Sequence, residues 1–228
     1  MNNLPAYISI GFILTVILTI AFLYKATKKP VTIILVVFAW VIFQTLLAKT
    51  FFYTTTGTLP PRILLMVMPP LILIAVLFVT AWGKNFIDGL DIKYLTLLHI
   101  VRIPVELVLF WLCLNKAVPL LMTFGGRNFD IAAGITAPVV FYFAFIKKQF
   151  SKKLLLVWNF ICLGLLINIV INAALSAPSI VQQFAFEQPN IAILYFPFNL
   201  LPSVVVPLVL LSHLAAIRQL LKQSEIKR

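Results

Sequence analysis

Acidic residues are scarce in this chain: six Asp and Glu stand against 18 Lys and Arg in 228 residues. Charge of either sign makes up only 11% of the sequence, while 62% is hydrophobic. A soluble domain carries about 25% charged residues, so a chain with so few cannot cover a water-facing surface of its size. Its solvent is mostly lipid. Cysteine is nearly absent. Cys113 and Cys162 both lie inside apolar runs and are expected at different depths, which argues against a disulfide. Several chemistries lack their residues. There is no Walker A loop, HExxH, CxxC or Ser-His-Asp order, and "GRNFDIAAG" is not a dinucleotide fingerprint. No lysine falls deep in an apolar run, which excludes a retinal Schiff base.

Basic residues are plentiful, and their placement is informative. The net charge of +12 could suggest nucleic acid, but the Lys and Arg residues sit in short clusters between long apolar runs. That is the positive-inside pattern of a membrane protein, and no nucleic-acid partner is expected. Seven runs are long enough to cross a bilayer or nearly so: Pro5–Tyr24, Val31–Ala48, Ile63–Trp82, Tyr94–Leu114, Asp130–Ile146, Leu154–Leu175 and Leu200–Leu220. The first has no preceding charge and no small-residue cleavage site, and Lys25, Lys28 and Lys29 follow it. It reads as a retained span with its N-terminus outside. With that orientation 13 basic residues lie inside and four outside (Lys49, Arg62, Lys116 and Arg127), with Arg102 inside the fourth span. If the fourth run did not cross, the Lys147–Lys153 cluster and the basic tail would face outward and the bias would vanish. The expected fold is an all-α polytopic transmembrane helix bundle. It forms a single integral membrane domain over residues 1–228, with the C-terminus in the cytoplasm. The segment from Ser176 to Asn199 has no Lys or Arg and is rich in aromatics, which predicts an outer-interface position.

Span four carries the chemistry. Its "HIVRIPVE" places His99, Arg102 and Glu106 on one helix face, with Arg102 and Glu106 at i, i+4, a spacing that allows them to pair. Ions inside hydrocarbon cost several kcal/mol, so this face is expected to turn inward as a ligand-binding or proton-handling cluster. His99 and Arg102 are close enough to the cytoplasmic end to snorkel instead. His213, the other histidine, falls at a depth similar to His99, about 10 Å in. The two could clamp a b-type haem or, with Glu106, form a sparse metal site. Asn168 and Asn172 share a face of span six, and Asn159 points the other way. In "MTFGGRNFD", Gly125-Gly126 permits a tight turn and Asn128 or Asp130 can cap the next helix. Arg127, Asn128 and Asp130 are expected at the outer mouth, where a helix N-terminus and Arg127 favour an anion. Prolines inside spans three, four, five and seven free carbonyls that must find partners within the bundle.

The runs "MTFGGRNFDIAAGITAP", "WNFICLGLL" and "VPLVLLSHLAAIRQLL" resemble a group of uncharacterised bacterial multi-pass membrane proteins of about this size. The resemblance covers the chain from His99 onward and implies an inner-membrane location with no assigned activity. The leading functional expectation is a small-molecule or ion permease, or a membrane binding protein, built on His99, Arg102, Glu106, Asn168, Asn172 and His213. The alternatives are a bis-histidine haem redox protein and an accessory subunit of a membrane complex. The accessory role would show as a small-xxx-small face toward a partner, and no strong motif of that kind stands out. An intramembrane enzyme ranks last.

Overall fold

The computed structural model describes residues 4–27 and 30–225. The basic residues Lys28, Lys29, Lys227 and Arg228 of the expected cytoplasmic set lie outside them. The described residues form helices joined by turns and loops, with no strand among them. In order, the helices are α1 (Ala6–Ala26), α2 (Pro30–Lys49), α3 (Leu64–Val79), α4 (Ala81–Asp88), α5 (Ile92–Leu98), α6 (Arg102–Leu114), α7 (Ile131–Phe141), α8 (Lys152–Ser176) and α9 (Val206–Glu225). Among the described residues, five helices are long and apolar enough to cross a membrane: Ala6–Ala26, Val31–Lys49, Ile92–Leu114, Lys152–Ser176 and Leu201–Lys222.

Two of the expected spans depart from a simple rod. The third bends by 93° at Thr80, between α3 and α4. Thr80 stops one helix and starts the next: its hydroxyl accepts the Gly83 N–H at 3.1 Å. A Cβ on Gly83 would lie 2.3 Å from the Leu77 carbonyl oxygen, so only glycine permits this corner. Asp88, at the end of α4, is then held by Arg218 and Lys222 of α9. The fifth expected span is short, running Ile131–Ile146 with a π-helical last turn. The fourth is continuous from Ile92 to Leu114, with a 3₁₀ turn at His99–Val101 just ahead of Pro104. The proline removes the donor that the Ile100 carbonyl would otherwise meet, and the chain tightens before it.

α9 is the central helix and α2 the peripheral one: 67% of the apolar window of α9 is buried, against 11% of that of α2. The main core joins α1 (Ile8, Phe12, Val16), α6 (Val108, Leu109, Leu112), α8 (Leu166, Ile169) and α9 (Val209). The segment before α9 packs against the loop that follows α6. Asn190, Ala192, Phe198 and Asn199 are buried. The Ile191 and Ala192 N–H groups donate to the Ala117 carbonyl, and Gln188 donates to the Val118 carbonyl at 2.6 Å. Its polar backbone is satisfied by the loop after α6, which lets it plug the end of the bundle at which α6 stops.

Two proline-freed carbonyls explain how the exposed helix α2 is fastened. Pro69 cannot donate to Leu65, and Gln44 of α2 donates to that carbonyl at 3.2 Å. Pro207 cannot donate to Ser203, and the Trp40 indole N–H of α2 takes that place at 2.9 Å. Gln44 is fully buried and also accepts the Tyr53 hydroxyl at 2.6 Å. Burial pushes the Tyr53 hydroxyl up to about 12 against the effect of that bond, so it remains a donor at ordinary pH. Gln44→Leu should therefore strand two buried partners and lower stability by about 1–3 kcal/mol, read as a fall in the thermal unfolding midpoint in detergent. Val41→Leu, which keeps every hydrogen bond, should stay near the parent.

Candidate intramembrane polar site

His99, Arg102 and Glu106 do face inward, and neither His99 nor Arg102 snorkels: their relative exposures are 0%, 2% and 1%. Arg102 is the first residue of α6 and reaches three other elements. Its Nη1 stands 3.0 Å from Asp130 Oδ1 and donates to the Cys162 carbonyl of α8 at 3.2 Å. Its Nη2 donates to His213 Nε2 of α9 at 3.0 Å. Arginine has no acceptor, so His213 Nε2 accepts and Nδ1 carries the proton. That Nδ1–H donates to Asn159 Oδ1 at 3.0 Å, and Asn159 donates in turn to the Leu155 carbonyl at 2.9 Å. Each step fixes the next, and His213 is written as a neutral imidazole of one tautomer.

The expected Arg102–Glu106 pair is corrected by this geometry. The counter-ion of Arg102 is Asp130, which arrives from another part of the chain. Its approach is too bent for a hydrogen bond, so charge alone holds that oxygen. Glu106 Oε1 instead accepts from Asn128, whose amide also donates to the Met122 carbonyl at 3.0 Å. Asp130 is not a cap either: its side chain makes no capping bond, while its N–H donates to Asn128 Oδ1. Nor do Asn128 and Asp130 sit at an outer mouth. Arg102 is 12 residues below the end of α6, about 18 Å along the axis. Asp130 touches it there, so the loop before α7 turns down into the bundle. This is why α7 is short. Gly126 makes the descent possible, because a Cβ there would lie 2.3 Å from the Leu120 carbonyl oxygen. Arg127 stays exposed; its backbone N–H donates to the Leu121 carbonyl and its own carbonyl accepts from Asn168 at 2.8 Å.

Asn168 and Asn172 do not join the cluster. Asn172 bonds back to Asn168, and Ser176 bonds to the Asn172 carbonyl, a ladder on the C-terminal half of α8. The asparagine that enters the site is Asn159, on the opposite face. Trp158 enters with it: its ring meets His99 edge-on at 5.6 Å, and its N–H donates to Thr136 at 3.0 Å. A small-residue face lies on α7, where Ala133, Gly134 and Ala137 are buried. It packs inside the bundle rather than on a partner. A Cβ on Gly134 would lie 2.8 Å from Ile103 Cγ1 and 3.3 Å from Arg102 Cβ. Gly134→Ala should therefore push α7 away from Arg102, lengthen the contact to Asp130 and cost about 1–3 kcal/mol. The check is its unfolding midpoint beside that of Gly164→Ala, where an added Cβ meets open space.

The two histidines stack, with ring centroids 3.8 Å apart and planes 13° from parallel. Haem ligands must point nitrogens at an iron held between them. These rings leave no gap for a macrocycle, and both nitrogens of His213 are already engaged. The residues do not fit a haem. Among the described residues, no three His, Cys, Asp or Glu side chains converge as metal ligands.

What distinguishes the cluster is how much of it remains unpaired. Seven buried side-chain polar atoms among the described residues lack a hydrogen-bond partner. Five of them are here: both ring nitrogens of His99, Arg102 Nε, Glu106 Oε2 and Asp130 Oδ1. Buried polar groups are paired as a rule, and each exception calls for a reason.

Residues 59–221 match the family described as "Domain of unknown function (DUF8737)", and the chain belongs to that family. The match runs from just before α3 into α9 and contains every residue of the cluster. No curated protein and no solved structure matches the chain.

Proposed function

We propose that this member of the family crosses a bacterial inner membrane seven times, N-terminus outside. In this reading it is a small-ion permease or binding protein, with the polar cluster as its site. The seven crossings comprise the five long helices, the bent α3–α4 pair and the short α7 span. Supporting the orientation is the excess of Lys and Arg in the connections it places inside.

The observation that carries the functional reading is the set of unpaired atoms on His99, Glu106 and Arg102, drawn together within the bundle. A purely structural ion pair would gain from saturating its hydrogen bonds. A site that must take up and release a small charged species needs spare donors and acceptors. The plug of residues 188–199 over the outer end and the close packing of the cluster describe a closed state. The proton is the smallest species such a site can take, and Glu106 and His99 are the groups with free positions for it.

The test is a pH jump applied to proteoliposomes on a solid-supported membrane. A transient current should follow the jump in vesicles containing the protein and be at least about tenfold smaller in empty vesicles. If protein-containing and empty vesicles respond alike, proton uptake at this site is refuted.

A further inference from the structure

A second site lies away from the polar cluster. Between α2, α3 and the start of α9 is a cleft of about 600 Å³, lined by Val36, Trp40, Phe43, Pro69, Leu73 and Val204 among others. Its polar groups are already used. The Ser203 carbonyl takes the Trp40 N–H, and the Ser203 hydroxyl donates to Asn199 at 2.8 Å. An occupant with polar atoms would find no partner there.

The origin of the cleft is local. Pro69, Pro70 and Pro207 line it, and α2 is held at the distance its Trp40 and Gln44 side chains span. A bundle otherwise fills such gaps, since protein interiors are close-packed. The cleft runs from Val36 to Phe43 along α2, about 10 Å, in the middle of a helix long enough to cross the bilayer. Its rim is exposed, with Val36, Phe43 and Leu73 at 57%, 42% and 50%. The medium at that depth is hydrocarbon. A helix is about 10–12 Å across and would have to part α2 from α3 and α9, which the Gln44–Leu65 and Trp40–Ser203 hydrogen bonds tie together. An extended hydrocarbon chain is thinner and fits.

We propose that this cleft is a lipid site that holds an acyl chain of a bilayer phospholipid, with the chain lying against Trp40 and the three prolines. It rests on membrane insertion alone and not on any role of the polar cluster.

The test uses the full chain with Trp82, Trp111 and Trp158 replaced by phenylalanine, so that Trp40 is the one remaining tryptophan. The detergent-purified protein is titrated with phosphatidylcholine carrying bromine at mid-chain, which quenches indole fluorescence on contact. Trp40 emission should fall by about half near stoichiometric lipid and then saturate, as expected of a formed pocket. Unbrominated lipid should restore it. Val204→Phe, or Leu73→Phe if the first does not fold, should remove the saturable phase by filling the cleft. Quenching that only tracks the bromolipid fraction, and that persists in the filled variant, would mean lipid merely surrounds this face and would overturn the site. An oligomer in which Trp40 is shielded from brominated lipid would overturn it too, since a protein partner would then occupy the cleft. The saturation curve of the parent decides the matter even if both filled variants fail.

Discussion

Arg102→Met should be the most damaging single substitution in the bundle, costing about 3–5 kcal/mol. For a chain of this length that lowers the unfolding midpoint by roughly 6–20 °C. The loss is larger than a count of bonds suggests. Arg102 holds Asp130, the Cys162 carbonyl and His213 at once, and removing it leaves the Asp130 carboxylate buried at 5% exposure without a counter-charge. His213 also loses the donor that fixes its tautomer. Asp130→Asn should fall in the same range for the mirror-image reason, because it strands the guanidinium. The double replacement Arg102→Met with Asp130→Leu should recover most of the loss. Paired charges can often be exchanged for apolar residues without penalty, whereas a single remaining charge cannot. Thermal unfolding of the three variants in detergent, followed by tryptophan emission or circular dichroism, gives the comparison. Single variants within about 1 kcal/mol of the parent would mean that the pair is solvated, as surface pairs are, and that the cluster is not a closed low-dielectric site.

How much of this was legible beforehand depended on whether a partner was local. The inward face of span four followed from helical periodicity and the cost of charge in hydrocarbon, and His99, Arg102 and Glu106 lie on it together. The identity of the counter-ion did not follow. The i, i+4 rule nominates Glu106 because it counts only neighbours on one helix, while Asp130 is delivered by a loop whose descent depends on Gly126. The depth argument brought His99 and His213 together, yet depth says nothing of ring orientation, and stacking rather than clamping decides against haem. Asn159 was passed over because Asn168 and Asn172 form the better pattern on paper. Asn172 donates to Asn168 and Asn168 to the Arg127 carbonyl on the C-terminal half of α8, and the single asparagine on the other face meets His213. The prolines were legible in kind. Two of their freed carbonyls, on Leu65 and Ser203, find partners inside the bundle, and the donors, Gln44 and Trp40, are themselves spaced i, i+4 on α2. The short fifth span was legible, because its apolar run is itself short; the bend at Thr80 was not, since hydropathy sees length and apolarity but not where a helix breaks or a loop re-enters.

Glu106→Gln should separate function from fold, because the two oxygens of Glu106 have different tasks. Oε1 accepts from Asn128 and Oε2 is unpaired. Glutamine keeps the length of the side chain and one acceptor oxygen, so the Asn128 contact survives and the unfolding midpoint should move by less than about 2–4 °C. It also mimics a protonated carboxyl, in that its amide group donates where the carboxylate could accept. The variant is thus fixed in one of the two states that a proton-binding cycle needs. The pH-jump current should fall at least about tenfold, the loss expected when an intramembrane acid can no longer change charge. Glu106→Asp sharpens the comparison: it keeps the charge but withdraws the carboxylate by one methylene from Asn128, so it should retain part of the current while losing more stability than the glutamine variant. The opposite pattern, a glutamine variant that unfolds or conducts like the parent, would make Glu106 a packing residue and move the search for the proton-binding group to His99. The two unpaired nitrogens of His99 would then be the remaining vacant positions in the cluster, and His99→Phe, which keeps the ring against His213 and Trp158, would be the variant that loses the current.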